Sequence, residues 1–203
     1  MSDHYYRSQP EVESQERIIK AEMRGANFTF TADRGVFAKD SVDFGTKLLI
    51  ETASIPSGAR VLDLGCGYGP VGIAIARTVK ESLVTMVDVN QRALKLASRN
   101  AKQNGVEHRI SVIESDGLKE LSDQSFDAIL TNPPIRAGKE TVHRLFAESY
   151  TYLRPGGVLW IVIRKQHGGP SAKARLEELF TVVERVEQKK GFWIVKAIKE
   201  DIN

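Results

Sequence analysis

Arg60-Val61-Leu62-Asp63-Leu64-Gly65-Cys66-Gly67-Tyr68-Gly69 is a short apolar run that ends in three alternating glycines. Gly72-Ile73-Ala74-Ile75-Ala76 follows and opens a helical pattern. The glycines therefore stand at a strand-to-helix turn. A residue without Cβ permits positive φ there and lets a ligand approach the backbone. Alone, Gly-x-Gly-x-Gly reads as a dinucleotide loop or simply as a tight turn. Asp63 changes the balance. A carboxylate just before the glycines would repel a pyrophosphate, and the spacing does not match Gly-x-Gly-x-x-Gly cleanly. An acid there suits a cationic ligand, such as the amino group of a methionine moiety.

Outward from this stretch, strand and helix alternate. Residues 60–64, 83–88, 109–114, 126–131 and 157–163 read as strands, the last introduced by the turn Arg154-Pro155-Gly156-Gly157. Residues 70–79, 90–104 and 139–152 read as helices, and Lys173 to Phe180 as a further one. Phe180 to Gln188 and Phe192 to Ile198 look like two closing strands around Lys189-Lys190-Gly191. Repeated βα units predict an α/β protein with a doubly wound parallel sheet. Upstream, residues 18–24 and 28–31 suggest a hairpin around Gly25-Ala26-Asn27, with Phe28 and Phe30 on one face. Asp43 to Ala53 reads as a helix, and residues 1–15 are polar. The expected organisation is an N-terminal extension, 1–54, packed on a core domain, 55–203, within one structural domain.

Leu83 to Val87 ends at Asp88. An acid at the tip of the second strand is how doubly wound folds grip ribose hydroxyls, since a carboxylate accepts from a vicinal diol. The other reading is a helix N-cap, for which Asn90 is the better candidate. Ser115-Asp116-Gly117 follows the run Ile110 to Ile113. Asp116 could accept from an adenine amino group, or mark an ordinary strand-end turn.

Phe126 to Thr131 is broken by Asn132-Pro133-Pro134-Ile135. Two prolines stiffen the backbone and remove competing amide hydrogens. The Asn132 side-chain carbonyl and the Pro133 carbonyl then accept from one exocyclic NH2 and orient its lone pair. Asn-Pro alone is usually a turn. At the end of the fourth strand, downstream of the glycine loop, the pair of motifs points to methylation of a planar amine.

On these residues the chain resembles the class I S-adenosylmethionine-dependent methyltransferases over residues 55 to 199. The segment Asp33-Arg34-Gly35-Val36-Phe37, continuing through Asp43-Phe44-Gly45-Thr46 to Ile50, is similar to the small-domain branch, the 16S ribosomal RNA guanine-N2 methyltransferases. The resemblance implies a seven-stranded Rossmann-like sheet with an antiparallel last strand. It implies S-adenosylmethionine contacts at Asp63, Gly65, Cys66, Gly67, Asp88, Val89, Asp116, Gly117 and Asn132. It places the target amine at Asn132, Pro133 and Pro134, with pocket roles for Phe37 and Lys39. Two departures stand out. The residue after the prolines is often aromatic in such enzymes, and here it is Ile135. Phe37 is the candidate for the missing stacking face, or else a hydrophobic plug. Some members also carry a second N-terminal domain, for which 203 residues leave no room.

The net charge of +3 is mildly basic and compatible with RNA. The carboxyl edge of the sheet should carry Arg136, Lys139, Arg164, Lys165, His167, Lys189 and Lys190, with Arg34 and Lys39 nearby. These form a phosphate-facing surface, or ordinary solvated charge. The single cysteine, Cys66, excludes an intrachain disulfide, and no Cys/His cluster has metal spacing. No signal peptide or transmembrane-length apolar run is present, so the expected location is the cytoplasm. The predicted partner is ribosomal RNA or the small subunit. Other readings are an adenine-N6 or glutamine-N5 methyltransferase, a catalytically silent RNA-binding protein, or a nicotinamide-dependent oxidoreductase. Asp63 and the proline loop disfavour the last.

Overall fold

The computed structural model describes residues 13–36, 40–122 and 125–200. Strands β1 (Arg17–Met23) and β2 (Ala26–Ala32) form an antiparallel hairpin. Helix α1 (Phe44–Thr52) leads into the alternating core. That core runs β3 (Arg60–Leu64), α2 (Pro70–Thr78), β4 (Leu83–Asp88), α3 (Gln91–Gln103) and β5 (Ile110–Glu114). It continues with β6 (Phe126–Thr131), α4 (Lys139–Tyr152), β7 (Leu153–Arg164), α5 (Gly169–Leu179), β8 (Val182–Lys189) and β9 (Phe192–Ile198).

Strands β3 to β9 form one seven-stranded sheet in the order β5-β4-β3-β6-β7-β9-β8. The first five in that order run parallel, and β9 lies antiparallel between β7 and β8. The α/β class is as the alternation of strand and helix suggests, and the antiparallel last strand is as the resemblance implies. The direction of winding reverses between β3 and β6. In such sheets a crevice opens outside the carboxyl ends at that switch. Leu64 and Thr131 pair there, and the Thr131 hydroxyl donates to the Leu64 carbonyl at 2.8 Å.

Two elements begin earlier than their sequence patterns indicate. Helix α5 starts at Gly169 rather than Lys173, because Gly168 adopts φ 99° and Pro170 occupies the first turn, where its missing N–H costs no bond. Strand β7 extends back through the predicted 154–157 turn to Leu153, with a register irregularity opposite Phe126 and Ala128.

The hairpin is built into the core. Phe28 and Phe30 stack at 5.9 Å, and Phe30 meets Tyr68 edge-on at 5.6 Å. Both phenylalanines are buried in one cluster with Ile73, Met86 and Ala97. Each such ring contributes roughly 1.5–3 kcal/mol by leaving water. Asn100, fully buried on α3, accepts from the Thr31 N–H at 2.8 Å and donates to the carbonyls of Thr31 and Tyr68 at 2.9 and 2.8 Å. One side chain thus ties the hairpin to the glycine loop. Among the described residues, no helix is long and apolar enough to cross a membrane.

Candidate active site

The glycine loop joins β3 to α2 as its sequence suggests. Gly65, Gly67 and Gly69 have φ of 74°, 56° and 93°. A Cβ added at Gly65 or Gly67 would meet no atom within 4 Å, so both glycines border open space. At Gly69 a Cβ would lie 2.9 Å from Ile73 Cδ1, so there the constraint is close packing as well as φ. Val87 at the end of β4 accepts the N–H groups of Gly65 and Cys66, both at 2.9 Å.

Asp63 is 2% exposed and accepts the Gly72 N–H at 2.8 Å, under the N-terminus of α2. Burial pushes its pKa up to about 7, against the lowering effect of that hydrogen bond, and the nearby Asp88 charge adds to the rise. A buried carboxylate in this state gains from a cationic partner. Gly72 permits the approach of helix to strand. A Cβ on it would come within 2.7 Å of Met86 and 3.1 Å of Asp63 Oδ2. Cys66 is buried, and that burial, together with the charges of Asp88 and Asp63, pushes its thiol well above the ordinary value. It is a small protonated filler rather than a nucleophile.

Asp88 stands half-buried at the tip of β4. Its Oδ2 accepts from Gly67 N–H and its Oδ1 from Asn90 N–H, each at 2.9 Å. Burial raises its pKa against those backbone bonds. The N-cap of α3 is Asn90, whose side chain accepts from Arg92 N–H and Ala93 N–H. Asp88 therefore keeps lone pairs for a ligand, because each carboxylate oxygen accepts more than one bond. Val89 beside it is partly exposed. The Asn90 amide also donates to the Gly35 carbonyl at 3.1 Å, which brings the segment ending at Val36 beside Asp88. Phe37 and Lys39 lie outside the described residues.

Asp116 differs from the other acids. It is exposed, and Arg144 and Lys119 hold its carboxylate at 2.7 and 3.1 Å. Desolvation works to raise its pKa, but these two partners outweigh it and leave the pKa below the usual range. Gly117 has φ 70° and packs against Glu148, Arg144 and Leu145.

The Asn-Pro-Pro segment follows β6 directly. Asn132 Nδ2 donates to Asp43 Oδ2 at 3.3 Å and to Thr46 Oγ1 at 3.1 Å. Asp43 is the N-cap of α1 and also accepts from the Thr46 N–H and hydroxyl, at 2.9 and 3.0 Å. A carboxylate only accepts, so the nitrogen end of the Asn132 amide must face it. The carbonyl end is left for a substrate donor. The Pro133 carbonyl already accepts the Ile135 N–H at 2.9 Å and retains one lone pair. The Pro134 carbonyl accepts from Ala137 N–H at 2.9 Å. Ile135 is 36% exposed, and Arg136 and Lys139 are exposed beyond it.

The contact of Asp43 and Thr46 with Asn132 is a connection that the sequence pattern does not reveal. The Asp-x-x-Thr spacing signals a helix cap, not its partner on β6. At the other flank, Arg164 and Lys189 both face Phe192 across the sheet. Lys165 N–H bonds the Gly191 carbonyl at 2.9 Å, so Arg164, Lys165, Lys189 and Lys190 share one corner of the carboxyl edge. His167 is exposed in the short turn before α5, and Arg34 is exposed near the start of α3.

Residues 27–196 match the family model of the methyltransferase small domain. The chain is 47% identical over 201 residues to the uncharacterized protein YbxB of Bacillus subtilis, covering 98% of this chain and 100% of that one. It is 36% identical over 175 residues to ribosomal RNA large subunit methyltransferase G of Streptomyces avermitilis, covering 84% of this chain and 45% of the relative. The fold matches T. thermophilus 16S rRNA N2 methyltransferase RsmC, solved with AdoMet and guanosine, at a TM-score of 0.82 and 27% identity. That match covers 94% of this chain and 52% of RsmC, so the chain spans about half the length of these two RNA methyltransferases. The chain belongs to the methyltransferase small domain family, a branch of the S-adenosylmethionine-dependent methyltransferases.

Proposed function

We propose that this protein transfers a methyl group from S-adenosylmethionine to the exocyclic N2 amine of guanine in 16S ribosomal RNA. The observation that carries this reading is the Asn132 amide. Asp43 and Thr46 hold its nitrogen end, which leaves its oxygen as the acceptor, directly after β6 at the switch point of the sheet. An acceptor that cannot flip selects a hydrogen-bond donor, such as an exocyclic amine.

The residues present fit the cofactor. Gly65 and Gly67 border open space, and two acids line the same turn. When bound, S-adenosylmethionine supplies a methyl group activated by a positively charged sulfur. Asp63 balances the cationic amino group, directly or through water. Gly65, Cys66 and Gly67 admit the ligand along the backbone. Asp88 accepts from the ribose diol beside Val89, and Asp116 with Gly117 closes the adenine end, where Arg144 and Lys119 share the carboxylate.

For the substrate, Asn132 Oδ1 and the free lone pair of the Pro133 carbonyl accept the two amine hydrogens, and Pro134 stiffens the loop. The nitrogen lone pair is thereby aimed, and alignment is the main contribution of the protein. The methylated nitrogen is acidic and loses its proton to solvent, so no side chain serves as general base. Ile135, Arg136, Lys165, Lys189 and Lys190 flank the base and its phosphates. This reading places the protein in the cytoplasm with the ribosome as partner.

The test is direct. Ribosomal RNA from cells lacking this protein is incubated with the purified enzyme and S-adenosylmethionine, digested, and its nucleosides weighed by mass spectrometry. N2-methylguanosine in the 16S fraction is the expected product. N6-methyladenosine in place of N2-methylguanosine, or no methylated nucleoside at all, would overturn the assignment. Large-subunit RNA is the second reading, because the large-subunit relative from S. avermitilis matches 84% of this chain, against 64% for a small-subunit methyltransferase C from Hahella chejuensis. The same digest of the two RNAs separates them.

A further inference from the structure

We propose that Phe44 and Phe192, with Lys190 and Arg164, form a subsite that stacks the target nucleobase and holds its neighbouring phosphate. The proposal rests on the RNA reading and names the aromatic face that Ile135 does not supply. Phe44 follows Asp43, the residue that orients Asn132, so the two are chain neighbours at the start of α1. It is half-buried, at the first position of α1. Phe192 braces it, with ring centroids 5.8 Å apart and tilted by 45°. Gly45 makes that brace possible: a Cβ there would sit 2.6 Å from Phe192 Cε1.

Two cations already cover these rings. Lys190 Nζ lies 4.8 Å from the Phe44 centroid, and the Arg164 guanidinium lies 4.3 Å from that of Phe192. Lys190 holds φ 48° and Gly191 φ 77° in the two-residue turn between paired Lys189 and Phe192. Such turns favour Asn or Asp before the glycine. A lysine kept in that left-handed position delivers its ammonium to the Phe44 face. An exposed cation–π contact is weaker than base–aromatic stacking. An incoming base therefore displaces the ammonium from the ring, and the freed charge pairs with phosphate. Lys190 is a placeholder for the base.

Two variants test this. In Phe44→Trp, a short guanosine-containing single-stranded RNA should quench the added indole beyond any change of Trp160 and Trp193 in the wild type. In Phe44→Leu, which keeps apolar bulk but loses the flat face, KM for RNA should rise about tenfold. Its S-adenosylmethionine affinity by calorimetry and its circular dichroism should match the wild type. Lys190→Asn added to Phe44→Trp should keep the turn and the quenching while lowering the salt dependence of RNA binding. No extra quenching together with an unchanged KM would overturn the subsite, as would a tenfold effect carried by Phe37→Leu in place of Phe44→Leu. Absence of methyl transfer to ribosomal RNA by the wild type would instead remove the substrate reading, while the oligonucleotide quench still decides the subsite.

Discussion

Asn132 donates from Nδ2 to the Oγ1 of Thr46 at 3.1 Å, across 86 positions of the chain. The contact crosses from the end of β6 to the first turn of α1 and, together with the Asp43 carboxylate, decides which end of the amide a substrate meets. Asn132→Ala should leave S-adenosylmethionine affinity nearly intact and lower single-turnover methylation by about 10²–10³, the usual cost of losing a preorganised polar contact at a reacting centre. The pH–rate profile should keep its shape, because no general base is removed. Thr46→Val should show a smaller loss in the same direction, with Asp43 still holding the amide. A wild-type rate in Asn132→Ala would reduce the Asn-Pro-Pro segment to a turn.

Asp63 should make cofactor binding pH-dependent. Burial pushes it from 3.8 to about 7. Between those values the folded state holds a proton that the unfolded chain has released. This group therefore favours the folded state at low pH, and that contribution is lost as pH rises to about 7. A cationic ligand favours the ionised form, so binding below pH 7 must release the proton. S-adenosylmethionine affinity should fall by up to about tenfold per unit below pH 7, and Asp63→Asn should bind more weakly without that slope. Calorimetry at pH 8, 7 and 6 measures it, and a flat affinity would refute the role.

Asp88→Ala removes the acceptors assigned to the ribose and releases the Gly67 N–H. Cofactor affinity should drop by about 1–3 kcal/mol. Unchanged affinity in calorimetry, with native circular dichroism, would leave Asp88 as a brace of the loop alone.

Lys189 and Lys190 are both exposed at the β8–β9 turn. Neutralising them together should weaken RNA binding and flatten its log–log salt slope, by up to about 0.7 for each phosphate of a single strand that is no longer neutralised. S-adenosylmethionine affinity should not move. An unaltered slope returns both lysines to ordinary solvated charge.

Asn100 is a structural test. Its side chain makes three buried hydrogen bonds, and Asn100→Ala strands the Thr31 N–H and two carbonyls. The loss should be about 1–3 kcal/mol or more of stability, read from the denaturation midpoint. A midpoint within error of the wild type would mean that water replaces the amide and that the hairpin is held by its other contacts, the Phe28 and Phe30 rings and the Asn104 bonds to Thr29 among them.

Much of the molecule is legible from local pattern. The run 60–64, the alternating glycines and the helix after them announce β3, the turn and α2, because strand period, left-handed glycines and helix period are all short-range signals. Asp63, Asp88 and Asn132 stand out for the same reason: each sits where a strand ends. The starts of α5 and β7 escape local pattern because Gly168-Gly169-Pro170 and Pro155-Gly156-Gly157 resemble breakers, whereas a proline in the first helical turn and a glycine at a sheet irregularity are tolerated. What residue order alone does not carry is distance between elements. The partnership of Asn132 with Asp43 and Thr46, the meeting of Phe44 with Phe192, and the elevated pKa of Asp63 all arise from the sheet order and the seating of α1 and α2. Periodicity records which face a residue presents. Which surface lies opposite is set only when the chain closes around its core, because hydrogen-bond geometry and desolvation depend on separations in space.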